Sequence, residues 1–163
     1  MTKIRRIHRK PYREREDLKS RLAALQDAIA CLRDSKLPPD SKKRMLNHAI
    51  WEVTIALGNF APEFRSKGVL EGKLGSKIER EHVYKRKQIV LDVLGTDEPL
   101  DSILKRVIHC VVTKEEHARL RNVPNSEDGW ARYQRAGVEV FICRNQVPEK
   151  LDFSKLTGLD RCG

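Results

Sequence analysis

"VIHCVVTKEEHARLR", residues 107–121, decides the fold. Its opening "VIHCVV" is a β-branched apolar run, the composition of a strand. Thr113 then fits a helix N-cap, and Glu116 three residues on completes a capping box. "TKEEHARLR" therefore begins a helix, with His117 just beyond its first turn. A strand that passes straight into a helix calls for both element types in one fold.

Outward from that stretch the C-terminal half alternates. "IEREHVY" at 78–84 reads as a strand, and "KRKQIVLDVL" at 85–94 has helical spacing in Ile89, Val90, Val93 and Leu94. A further helix follows through "EPLDSILKRV", with Pro99 in its first turn, where a missing N–H does no harm. "DGWARYQRAG" at 128–137 is a short helix with a glycine stop, and "VEVFIC" at 138–143 is another strand. Trp130, Tyr133 and His109 read as core residues. The last twenty residues look irregular.

Toward the N-terminus, Leu18, Leu22, Leu25, Ile29 and Leu32 recur at spacings of three and four, an amphipathic helix from about 14 to 35. "LPPD" breaks it. Asp40 or Ser41 caps a second helix that ends near Gly58. Two such helices on a short connection form an antiparallel hairpin. Residues 58–76 hold four glycines and one proline and read as a basic linker with Phe60 and Phe64 pinned to the core. The expected fold is α+β: a basic arm (1–13), a helical hairpin (14–58), a linker (59–77), and a small mixed unit with a short sheet (78–163).

Charge narrows the partner. The 163 residues carry a formal net charge of +10, which attracts polyanions, nucleic acid first. Arg5, Arg6 and Arg9 in the arm, Arg65 and Lys67 in the linker, and Lys85, Arg86 and Lys87 after His82 are the candidate phosphate contacts. DNA is preferred over RNA as the expected ligand. No stretch approaches the ~20 apolar residues that span a bilayer, so a cytoplasmic protein without membrane contact is expected. The four cysteines contain no CxxC pair, which argues against a zinc knuckle and a redox dithiol. Cys110 and Cys143 lie in apolar runs and read as buried free thiols. No P-loop or nucleophile-elbow motif occurs.

Glu81 and His82 in "REHVY" supply an acid and a base side by side. In a strand they point to opposite faces, so a shared site needs a turn of the backbone at the strand end. With "CVVTKEEHARL" downstream, the pair resembles the His-Me finger (HNH, ββα-metal) endonucleases. The resemblance implies a ββα-metal-like element with His82 as general base and Glu81 and His117 as ligands of a divalent ion, Mg²⁺ or Mn²⁺, with Zn²⁺ a third candidate. It covers about a quarter of the chain. That family's middle asparagine has no counterpart here, and Gln88 and Asp92 are the candidates to replace it. Two other readings stay open: a non-catalytic nucleic-acid-binding protein, and a small immunity-type protein whose basic face meets an acidic protein partner.

Overall fold

The computed structural model describes residues 16–58, 62–72 and 77–158. The basic arm, with Arg5, Arg6 and Arg9, lies outside the described residues, as do Phe60 and Cys162. The chain is α+β, with seven α-helices and one five-stranded mixed sheet among the described residues. The described residues form two compact units, one from 62–72, 77–83 and 109–158, the other from 16–58 and 84–108.

The helical unit begins with α1 (Leu18–Asp34) and α2 (Pro39–Ala56). The proline pair does more than end α1. Pro39 sits in the first turn of α2 behind Pro38 as N-cap, so neither Asp40 nor Ser41 caps that helix. The unit is completed by α4 (Arg86–Gly95) and α5 (Leu100–Leu104), which the linear division assigns to the C-terminal unit. That division needs correcting, because the apolar residues of α4 close a core with the first two helices. Ile29, Leu46, Ile50, Val53, Ile89, Val90, Val93, Ile103 and Val107 are buried together. A helical hairpin buries only one seam, and the inserted helices cover the rest.

The sheet unit contains β1 (Phe64–Ser66), α3 (Lys67–Glu71), β2 (Ile78–His82), β3 (His109–Thr113), α6 (Lys114–Arg121), α7 (Gly129–Arg135), β4 (Val140–Ile142) and β5 (Glu149–Lys150). A 3₁₀ helix, Phe153–Gly158, follows. Strand order is β2-β3-β1-β4-β5, with β1 and β3 parallel and every other pair antiparallel. The linker reading is thus corrected at 64–71: β1 lies between two partners in the middle of the sheet. Trp130 of α7 packs on Phe64 and Tyr133, with ring centroids 5.1 and 5.3 Å away. Gly137 ends that helix at φ 63°, a conformation that favours glycine.

Candidate functional site

β2, β3 and α6 follow one another in ββα order, with the 84–108 segment inserted between the strands. The capping box at the start of α6 forms as expected. Thr113 Oγ1 accepts from the Glu116 amide at 3.2 Å, and the Glu116 carboxylate accepts from the Thr113 amide at 2.8 Å. The same carboxylate also takes the Ser66 hydroxyl and the Gly68 amide, the latter at 3.2 Å. One buried acid therefore ties together the ends of the two parallel strands, and the next residue is His117. Gly68 leaves the room for this: a Cβ there would stand 2.7 Å from Glu116 Oε1, and the carboxylate would have to shift.

That anchoring sets His117 against β2. His117 Nε2 lies 2.9 Å from Glu81 Oε2. The other carboxylate oxygen, Oε1, accepts from Arg132 of α7 at 2.7 Å. Arg132 also donates to the carbonyls of His82 and Val83, and its Nε has no hydrogen-bond partner. Side-chain exposure rises from 7% at Arg132 through 15% at Glu81 to 27% at His117. The site is a carboxylate held from behind by a buried guanidinium, with an imidazole on its solvent side. Beneath it, Tyr133 donates to the Glu81 carbonyl at 3.5 Å. Burial pushes the Tyr133 phenol and the Cys110 thiol well above their usual ranges, and neighbouring acidic groups add to both shifts.

His82 is the last residue of β2, one position beyond Glu81. β2 stays extended through His82, which pairs in register with His109 of β3, while Glu81 pairs with Cys110. The chain bends only after His82, at Val83–Tyr84, so strand alternation sets the side chains of Glu81 and His82 on opposite faces. His109 is 4% exposed, a core histidine.

The phosphate candidates divide. Arg65 is 1% exposed and donates from Nε to the Pro62 carbonyl, so its assignment as a phosphate contact is corrected: β1 carries it into the interior. Lys67 is exposed and pairs with Glu139 at 3.1 Å. Lys85, Arg86 and Lys87 stand at the start of α4 in the helical unit. Gln88 and Asp92 bond to each other at 2.8 Å on α4. Arg132 is the site residue that sequence reasoning missed. Nothing in "GWARYQR" separates it from Arg135, which is exposed and reaches Glu127 at 3.7 Å.

Two donors alone, Glu81 and His117, stand where a divalent ion could be held. Two ligands at right angles, each about 2.1 Å from a small hard cation, stand about 3 Å apart. The 2.9 Å between Glu81 Oε2 and His117 Nε2 matches that span, with Arg132 leaving Oε2 available. Among the described residues no group of three or more His, Cys, Asp or Glu side chains is placed to hold a metal ion. No described helix is long and apolar enough to cross a membrane. Comparison with protein-family models, with curated proteins and with solved structures finds no match for this chain.

Proposed function

We propose that the chain is a metal-dependent endonuclease that hydrolyses phosphodiester bonds in nucleic acid, DNA before RNA, with Glu81 and His117 as its functional pair. The 2.9 Å contact between them, at the strand–helix junction of a ββα unit, carries the reading. A cation held by Glu81 and His117 would supply charge neutralisation at the scissile phosphate and would activate water. Arg132 fixes the carboxylate's orientation, a positioning role of the kind that tunes metal ligands. The net charge of +10 supports a polyanionic substrate.

The proposal rests on the pair rather than on His82, which lies on the other face of β2. Supercoiled plasmid incubated with Mg²⁺ or Mn²⁺ tests it. Wild type should cleave, and Glu81→Gln and His117→Ala should each lose at least about 10–100-fold. Retained activity in His82→Ala removes His82 from the site and leaves the pair. Equal activity in wild type and both pair variants ends the proposal.

A further inference from the structure

The helical unit carries a second constellation, separate in chemistry from the Glu81–His117 pair. Arg44, Asn47, His48 and Trp51 follow i, i+3, i+4, i+7 spacing on α2 and share one face. Leu46, Ile50 and Val53 turn inward from the same helix. Arg86, the first residue of α4, lies over the Trp51 ring with its guanidinium carbon 5.2 Å from the centroid. Together these five side chains line an open groove of about 380 Å³.

Among the described residues, no carboxylate lies within ion-pair distance of Arg44 or Arg86. Glu52, the acid on this stretch of α2, is 3.5 Å from Arg21 and 3.9 Å from His48. Arg86 is half-buried, and burial lowers its pKa. A partly desolvated cation without a carboxylate is costly unless an anion arrives. Beside it stands a half-exposed indole, Trp51, already stacked with a guanidinium.

We infer that this groove binds single-stranded nucleic acid, with Arg44 and Arg86 against phosphates and the Trp51–Arg86 stack as a platform for an unpaired base. Cations interleaved with an aromatic are the recognition chemistry of single strands. A duplex offers the phosphates but withholds the base face, and an acidic peptide offers charge without a ring. The inference deepens the proposed function only in its choice of polyanion.

The test is a titration of the full chain with fluorescein-labelled oligothymidine in EDTA, read by anisotropy across a salt series. A matched duplex and polyglutamate serve as comparison ligands. The single strand should bind more tightly than either. Arg44→Ala and Arg86→Ala should each flatten the slope of log affinity against log salt by about 0.7. Trp51→Ala should weaken binding roughly 5- to 100-fold at fixed salt. Arg44 is exposed, so its variant tests the groove without endangering the fold. Unchanged slopes in both arginine variants, or equal binding of duplex or polyglutamate, overturn the inference. Because EDTA stops turnover, this result and the cleavage result stand or fall separately.

Discussion

Replacing Glu81 with alanine removes the only carboxylate that Arg132 pairs with among the described residues, and the stability cost can be worked from the geometry. Breaking a buried ion pair by deleting one partner costs about 3–5 kcal/mol, because the remaining charge stays desolvated. Arg132 keeps its bonds to the His82 and Val83 carbonyls, which places Glu81→Ala near the lower end, about 3 kcal/mol. Glu81→Gln keeps an oxygen for the guanidinium and loses only the charge, about 1–2 kcal/mol. His117→Ala removes the more exposed partner and should cost less than about 1 kcal/mol. Urea unfolding followed through Trp130, in a Trp51→Phe background, reads the sheet unit alone, since Trp51 lies in the helical unit. The expected order of stability is wild type, His117→Ala, Glu81→Gln, Glu81→Ala. A Glu81→Ala variant within about 0.5 kcal/mol of wild type, or one no worse than His117→Ala, refutes the view that Arg132 depends on this carboxylate. The ranking also qualifies Glu81→Gln and His117→Ala as folded variants for activity work.

Gly68→Ala should destabilise by roughly 1–3 kcal/mol, since its Cβ displaces a Glu116 carboxylate that Ser66, Gly68 and Thr113 all use; a raised urea midpoint, as helix propensity alone predicts, would contradict the network. The raised Cys110 thiol makes a pH prediction. Unfolding lets it ionise near its ordinary value while the folded thiol keeps its proton, so above about pH 9 the native state holds the extra proton and stability falls as pH rises. One such group contributes a slope of about 1.4 kcal/mol per pH unit. The Tyr133 phenol and the Cys143 thiol are raised as well, so Cys110→Ala should lessen the alkaline slope without abolishing it; an unchanged slope in that variant would count against the burial argument.

What could be read from sequence was local. The Thr113 cap, Glu116 and the position of His117 follow from neighbouring residues and appear as expected, while the strand forms at His109–Thr113 instead of 107–112. β1 was illegible because a three-residue strand carrying Arg65 and Ser66 has no periodic signal, and its stability comes from partners on both sides. The membership of 84–108 was hidden for a similar reason: Ile89 and Val93 meet Ile29 and Leu46 across more than forty residues of chain. Half of the candidate site was visible. Glu81 and His117 stood out as residue types in a recognisable order, while Arg132 is set apart from Arg135 only by burial. The place of His82 depended on whether β2 turned at its end, a question of pairing that sequence alone left open.

The central claim is that Glu81 and His117 share one cation, and paramagnetic broadening tests it most directly. Mn²⁺ would be titrated into the protein while the imidazole resonances are followed by NMR, with His117→Ala giving the assignment. The account predicts that His117 broadens at the lowest Mn²⁺, before the exposed His48, and that Glu81→Gln abolishes this selectivity. Broadening of His48 first, or an unchanged His117 response in Glu81→Gln, would contradict it.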